Sequence, residues 1–477
     1  MKTKSLYLAA LAGVLCTALA SKSWAAITLG GQDEMELSGI AQTRVTFSTQ
    51  DREGFTSPQV DSGSLLQHRN LAYVEWRHTL TNRVSYRLKV RGLYEGVYDY
   101  GPEEYRDAKD LAEDADIYTD ADLWEGYVDV APGPAFLRVG KQIISWGETD
   151  LFPMLDRINP LDNTWGGIFE NLDDRRLPIW ATRGIYTFGN IGFLQSVALE
   201  GFFNPGFIEQ EVSPLSPPGT PYAFPLPPAP LPLRIIEPED GMKGSRWGVR
   251  LQGVIGDNYN FSLAHYQTFL DTPATRLVID PGGPVQELIY SDVLITGGSL
   301  SFFEQFTETI WRFELAYHWD EPVFIPEVNL SGTGEIPEKD IFRFAVAVDK
   351  NVWIRFLNKR SMYNFTLQYF GEYILDYDDA IRLAAFKFPS GEFAELDEYE
   401  QKITFFTYTN YLSGKLNPQV ALAWDPRGAV MVLPQVTYIF EPLRFTLQYA
   451  LVAGENDVSL GFLRDRDQIS LTLSVLF

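Results

Sequence analysis

The stretch Ile469-Ser470-Leu471-Thr472-Leu473-Ser474-Val475-Leu476-Phe477 places apolar side chains at every odd position and mostly small polar ones between them. Successive side chains of a strand point to opposite faces. This stretch is therefore predicted to be a strand with one face on lipid and the other on a wet interior. The same period recurs upstream. Val84, Tyr86, Leu88 and Val90 alternate with Arg83, Ser85, Arg87, Lys89 and Arg91. Thr309, Trp311, Phe313, Leu315, Tyr317 and Trp319 alternate with Ile310, Arg312, Glu314, Ala316 and His318. Tyr363, Phe365, Leu367, Tyr369 and Tyr373 alternate with Asn364, Thr366, Gln368, Phe370 and Glu372, and Phe445, Leu447, Tyr449 and Leu451 with Arg444, Thr446, Gln448 and Ala450.

Strands about 9 to 11 residues long are what a tilted crossing of a bilayer requires. They are predicted near 35–48, 70–80, 82–97, 121–130, 134–144, 180–188, 192–203, 246–254, 258–269, 291–302, 308–318, 341–349, 363–376, 402–412, 417–424, 428–438, 442–452 and 465–477. Tight links such as Thr81-Asn82 and Gly256 to Asn258 alternate with long insertions. That is the rhythm of short periplasmic turns and long external loops. The expected fold class is all-β: a single transmembrane antiparallel barrel of about 18 strands, with 16 left open. Two links strain this register, Lys350 to Met362 being long for a turn and Trp424 to Gly428 short for a loop. A terminal aromatic such as Phe477 on an alternating strand resembles the signal read by the barrel-assembly machinery, which is thus an expected partner. Lipid and lipopolysaccharide of a Gram-negative outer membrane are the others.

The N-terminus supports export. Lys2 and Lys4 precede an apolar run from Leu6 to Ala20, and Ser23-Trp24-Ala25 offers small residues where signal peptidase reads. Residues 1–25 are expected to be removed, leaving the barrel in 26–477. The run is short for a helical anchor, which takes about 20 residues. Cys16, the only cysteine, lies inside the run after Leu15, unlike a lipid-acceptor cysteine. Losing it excludes disulfides and thiolate chemistry from the mature chain. Losing Lys2, Lys4 and Lys22 takes the formal charge from −24 to −27, which argues against nucleic acid as a partner. No cofactor or metal is expected.

A barrel of this strand number is too wide for side chains alone to fill. Its inward faces are read as lining a lumen: Arg87, Lys89, Arg91, Arg138, Arg250, Arg312, Arg343 and Arg444, with Glu75, Glu314 and Glu372 as acidic counterparts. Placing Arg or Lys on lipid at mid-bilayer would cost roughly 2 to 4 kcal/mol each. These residues either set a transverse field that selects solutes or neutralise one another and pin an inserted loop. The acidic block Asp99 to Asp122 reads as a solvated external loop. The Pro-rich run Pro214 to Pro232, within a loop at 204–245, is incompatible with a strand. It is read as a connector that folds over the barrel mouth, offers a contact for a greasy ligand, or stays a lax surface loop.

From Leu137 the chain runs Leu-Arg-Val-Gly-Lys-Gln-Ile-Ile-Ser-Trp-Gly-Glu, then Asp156-Arg157-Ile158-Asn159-Pro160-Leu161-Asp162, then Asp174-Arg175-Arg176-Leu177-Pro178. This resembles a proteobacterial outer-membrane family catalogued as domain of unknown function 1302. The resemblance implies an association with lipid-transporting exporters of the resistance-nodulation-division type and a periplasmic carrier, hence traffic in hydrophobic or amphipathic molecules. The insertion at 145–179 carries both charge signs and is expected to fold into the barrel as a constriction. Its candidate residues are Trp146, Glu148, Asp150, Asp156, Arg157, Asn159 and Asp162, with Glu148, Asp150 and Asp156 meeting Arg87, Arg91 or Arg138. The leading functional expectation is a channel for hydrophobic or amphipathic solutes. The alternatives are a porin for small anions and a barrel that binds without transporting. No catalytic residue is expected, since His68, His78, His265 and His318 have no serine or carboxylate at a spacing that signals chemistry.

Overall fold

The computed structural model describes residues 27–29, 34–52, 58–207, 210–223, 231–387, 390–455 and 460–477. The expected leader, 1–25, and the centre of the Pro-rich run, 224–230, lie outside the described residues. Eighteen antiparallel strands close into one sheet, and the short strand Ile27–Leu29 adds to it by pairing with Met35 to Leu37. The eighteen are β1 Glu34–Ser48, β2 Leu65–Thr81, β3 Val84–Glu95, β4 Thr119–Val130, β5 Ala135–Gln142, β6 Ile179–Ile191, β7 Leu194–Asn204, β8 Arg246–Ile255 and β9 Tyr259–Phe269, then β10 Asp292–Glu304, β11 Thr309–Pro322, β12 Glu338–Val352, β13 Tyr363–Ile374, β14 Tyr399–Tyr408, β15 Leu416–Asp425, β16 Ala429–Phe440, β17 Leu443–Gly454 and β18 Gln468–Leu476. Each pairs with its neighbours in sequence. β18 closes on β1 from Ile40↔Leu476 to Ser48↔Gln468. All the predicted strands form, and the count is 18 rather than 16. Among the described residues, no helix is long and apolar enough to cross a membrane.

The period-2 pattern becomes two surfaces. Leu88, Val139, Leu263, Leu315 and Leu471 point outward, Leu471 with 54% of its surface open. An apolar exterior that wraps a whole barrel is built for lipid. Phe477 extends the seam. Its N–H donates to the Gly39 carbonyl (3.0 Å) and its own carbonyl accepts from the Gly39 N–H (2.7 Å). Glycine is needed there because a Cβ on residue 39 would collide with the Phe477 ring. Both strained links hold. Residues 353–362 form a turn bolted by Asn358, whose side-chain amide donates to Thr409 Oγ1 (3.0 Å) and the Asn410 carbonyl (2.8 Å). Gly428 N–H donates to the Asp425 carbonyl (3.0 Å), closing the short loop.

The loop end differs from the sequence-based expectation in two ways. The acidic block is not a lax loop. Val97–Tyr100, Glu103–Asp107 and Lys109–Asp114 are helical turns packed through Val97, Tyr98, Tyr105 and Ala112 onto Leu66 and Val60. Two of its acids, Asp120 and Asp122, belong to β4 and face Arg91. Secondly, the long loops carry their own sheet. Gly283–Ile289 pairs antiparallel with Ala274–Asp280 and parallel with Leu233–Ile236. The described part of the Pro-rich loop crosses the mouth. The Pro221 carbonyl accepts from Arg52 (2.7 Å), the Ala223 carbonyl from Arg466 (2.9 Å), and the Tyr222 hydroxyl donates to Gln468 (3.2 Å), all on the β1 and β18 side.

Candidate functional site in the lumen

The chain between β5 and β6 turns into the barrel, and its own sequence explains how it holds shape there. Asn159 joins the two feet of the insertion. Its Oδ1 accepts from Ile144 N–H (2.7 Å), and its Nδ2 donates to the Leu177 carbonyl (2.6 Å). Asp156 accepts from Ser145 Oγ (2.7 Å) and Trp146 N–H (3.1 Å) and pairs with Arg176 (2.5 Å). Asp162 caps its own turn, accepting from Thr164 N–H (2.9 Å) and Trp165 Nε1 (2.7 Å). Gly147 passes through a narrow place. A Cβ there would stand 2.7 Å from the Asp156 Cβ and 3.2 Å from Glu314 Oε2.

The wall grips this insertion on most sides. On β11, Glu314 accepts from the backbone N–H of Glu148 (2.8 Å) and of Leu155 (2.6 Å), and Arg312 pairs with Asp150 (3.0 Å). Gln368 of β13 accepts from Asp150 N–H (3.2 Å), and Tyr266 of β9 donates to the Leu155 carbonyl (2.5 Å). Trp146 is 1% exposed; it donates to Glu200 of β7 (2.8 Å) and packs edge-on to Phe202 and Tyr266. Across the barrel, Glu170 pairs with Arg44 of β1 (2.6 Å) and Arg69 of β2 (3.3 Å). Phe169 is buried among Ala423, Ala429, Met431 and Ala450.

One stretch of wall is left alone. Among the described residues, no hydrogen bond or ion pair joins 145–178 to β3 or β4, and β5 is met only at Gln142, the root of the insertion. Facing that bare wall, Asp174 stands exposed on the helical turn Leu172–Arg175, beside Asp173, which pairs with Arg176. Asp174 is within electrostatic reach of Lys89 and Tyr73. Beside this gap a cavity of about 300 Å³ lies between the insertion and the inner faces of β1 to β3 and β16 to β18. Arg91, Arg175, Arg444, Trp165 and the side-chain amides of Gln42 and Gln448 are among its lining.

The family model described as "Protein of unknown function (DUF1302)" matches residues 6–477. The chain belongs to that family. Solved structures similar to this DUF1302 chain include Acinetobacter baumannii OccAB1, at 11% identity and a TM-score of 0.49, covering 96% of this chain and 99% of that one. Pseudomonas aeruginosa OccK9 (OpdG) is 10% identical with a TM-score of 0.49, covering 93% and 98%. The outer membrane channel DcaP of Acinetobacter baumannii is 9% identical with a TM-score of 0.42, covering 95% and 100%. No curated protein matches the sequence.

In this DUF1302 chain the residues that carried the resemblance are the brackets of the insertion. Trp146, Asp156, Asn159 and Asp162 are buried within it or beneath it, and Arg157 turns its Nε back to the Pro153 carbonyl (3.2 Å). Of the expected constriction residues Asp150 is exposed, and Glu148 and Arg157 are partly so. Their expected partners are corrected. Arg87 is taken by Glu75 (2.7 Å) and Glu125 (3.3 Å), Arg91 by Asp120 (2.7 Å) and Asp122 (3.1 Å), and Arg138 by Asp129 (2.7 Å); Lys89 lies 3.8 Å from Glu125. The reason is register. Glu75 sits opposite Lys89, Asp122 opposite Arg91 and Asp129 opposite Arg138, so ladder neighbours reach these cations before a loop can. Arg250 pairs with Glu200 under the Trp146 ring (2.6 Å), and Arg343 is enclosed by Glu321 (2.5 Å) and Glu372 (2.6 Å). Glu314 and Arg343, at 1% and 4% exposure, therefore hold structure rather than line open space. Arg444 has no carboxylate partner among the described residues and faces the cavity.

His318 also departs from expectation. A bulge in the β11–β12 pairing brings its Nδ1 2.8 Å from Glu321, and its Nε2 faces the Met154 carbonyl at 3.4 Å. Both ring nitrogens are spent on the fold. Residues not anticipated are Glu170, Arg44 and Arg69. One signal lay in the sequence. The inward faces of some strands carry Gly, Ala or aliphatic residues where polar ones belong, as at Gly248, Val293, Ile295, Gly297 and Ala316. A Cβ on residue 297 would sit 2.7 Å from Leu155 Cδ1, and one on residue 248 would sit 3.1 Å from the Trp146 ring. Apolar inward positions mark where the insertion docks.

Proposed function

We propose that this protein is an outer-membrane channel, with the tight turns in the periplasm and the long loops outside. Its passage is the gap between the insertion and the wall of β3 to β5. The observation that carries this reading is the uneven grip on the insertion: bonded to strands most of the way round, it leaves β3 and β4 free. The inner face of that bare wall carries Arg87, Lys89, Arg91, Glu125 and Asp129, with the Trp124 and Tyr127 rings beneath Arg91 and Arg138, and it faces Asp174. Paired charges on one side and the exposed Asp174 carboxylate on the other, bonded only to the Asn171 side-chain amide among the described residues, form a transverse field that orients a solute carrying charge.

The lining favours small amphipathic or anionic solutes over wholly apolar ones. The cavity beside the gap presents Arg444, which has no ion-pair partner among the described residues, and side-chain amides next to Trp165, Tyr73 and Leu71. A cation, neutral donors and an aromatic surface together suit a molecule with a carboxylate and a short apolar body. The traffic in hydrophobic molecules implied by the family resemblance is supported here only in that amphipathic form. A passive porin for small anions is the second reading, favoured by Arg444 alone.

Planar-bilayer conductance tests the passage. Lys89→Cys and Asp174→Cys each place one thiol in the gap of a mature chain without native cysteine. Reaction with a bulky thiol reagent should lower single-channel conductance at both sites and should do little at Ser301→Cys, on the opposite wall. Conductance unmoved by reagent at Lys89→Cys and Asp174→Cys would place the passage elsewhere.

A further inference from the structure

The chain is strongly acidic, with 63 carboxylates against 39 Lys and Arg, yet one part of the turn end has cations and no acid. The turn after β12, Trp353-Ile354-Arg355-Phe356-Leu357-Asn358-Lys359-Arg360-Ser361-Met362, holds Arg355, Lys359 and Arg360. The adjacent turn after β14, Asn410-Tyr411-Leu412-Ser413-Gly414-Lys415, holds Lys415. All four are exposed, and none makes an ion pair among the described residues. The two turns are one platform. Asn358, buried at 4%, bonds to Thr409 and Asn410, Ser361 Oγ donates to Asn410 (2.8 Å), and the Tyr363 and Tyr411 hydroxyls meet at 2.7 Å.

The platform is also greasy. Phe356 is 85% exposed, Leu412 60% and Trp353 44%. A fifth cation fixes which way it faces. In β12, Asp349 turns inward to Arg312 (2.8 Å), so the next residue, Lys350, points out to the lipid side, in register with Phe365. A cation on the lipid side of a strand is tolerated only near the interface, where its stem lies along apolar surface and its head reaches polar groups. A protein docked beneath the turns would not reach Lys350. A lipid headgroup in the facing leaflet would.

We propose that Lys350, Arg355, Lys359, Arg360 and Lys415 form a site for anionic phospholipid in the leaflet at the turn end, with Trp353, Phe356 and Leu412 seated among the acyl chains. The proposal rests on the outer-membrane reading above for its membrane. Each interfacial cation attracts anionic lipid, and a rigid bolted platform spends little ordering entropy to do so.

The test uses the refolded full-length barrel and equimolar phosphatidylglycerol and phosphatidylethanolamine with identical acyl chains. Lipid retained on the protein is read by native mass spectrometry. The wild type should retain phosphatidylglycerol preferentially. The variant with Lys350→Gln, Arg355→Gln, Lys359→Gln, Arg360→Gln and Lys415→Gln should lose that preference by on the order of tenfold. Heat-modifiable gel migration, unchanged between the two, verifies the fold. Equal retention of both lipids by the wild type, as an acidic protein partner for this surface would entail, overturns the inference, and so does a preference that survives in the variant. Failure of the wild type to enter vesicles would overturn the channel reading as well. Entry with lipid indifference would overturn this inference alone.

Discussion

Replacing Glu314 by Ala should unseat the middle of the insertion. The carboxylate is 1% exposed and accepts from two backbone N–H groups, Glu148 at 2.8 Å and Leu155 at 2.6 Å. Ala removes both acceptors and offers nothing in their place. A buried donor left unsatisfied costs about 1 to 3 kcal/mol, so the two together cost about 2 to 6 kcal/mol. At 1.4 kcal/mol per factor of ten, even the lower bound shifts the local docking equilibrium more than tenfold. The rest of the grip, Trp146 on β7 and Glu170 on β1 and β2, stays in place, so the barrel itself should fold. Two measurements follow the loosening: single-channel conductance, which should rise and fluctuate, and trypsin cleavage after Arg157, which should become detectable in the folded barrel. Glu314→Gln keeps one acceptor but turns an N–H toward the other donor, and should fall between wild type and Ala. Wild-type conductance and protease resistance in Glu314→Ala would refute the claim that this residue seats the insertion.

Trp146→Ala should cost about 3 to 5 kcal/mol of packing at the deepest point of the same insertion, lowering the temperature at which protease cuts it while leaving heat-modifiable migration intact. Burial pushes the Glu170 carboxyl up, but Arg44 and Arg69 overcome this and hold it below its ordinary 4.5. Its contribution to docking is thus fully present above 4.5 and lost as pH falls through the depressed folded value. Conductance should be flat from neutral pH down to that point and rise only below it, and Glu170→Gln should abolish the acidic step. Phe477→Ser removes the ring that covers Gly39 at the seam, and should reduce folded barrel in outer-membrane fractions without reducing export; normal barrel levels would count against the terminal strand as an assembly signal.

The sequence by itself determined the barrel. Period-2 alternation is a local property, readable from each strand alone, and the alternation of tight and long links narrowed the count to about 18 strands; closure of the sheet decided between 18 and 16. It also determined that charged side chains such as Arg87 and Arg91 face inward, since lipid excludes them. At Gly140 the φ of 139° and the nearby Gly126 carbonyl oxygen leave no room for a side chain. Partner choice inside the lumen was decided only by the tertiary structure. Glu170 meets Arg44, 126 residues away in sequence, and Glu314 meets Leu155, 159 residues away. No local pattern encodes such pairs, because closing the sheet brings many inward faces within reach of one loop. Which face the loop meets depends on which cations ladder neighbours have already neutralised and where glycine and alanine leave room. Arg87, Arg91 and Arg138 were taken by their own register partners, so the insertion settled against the opposite walls and left the β3 and β4 side free.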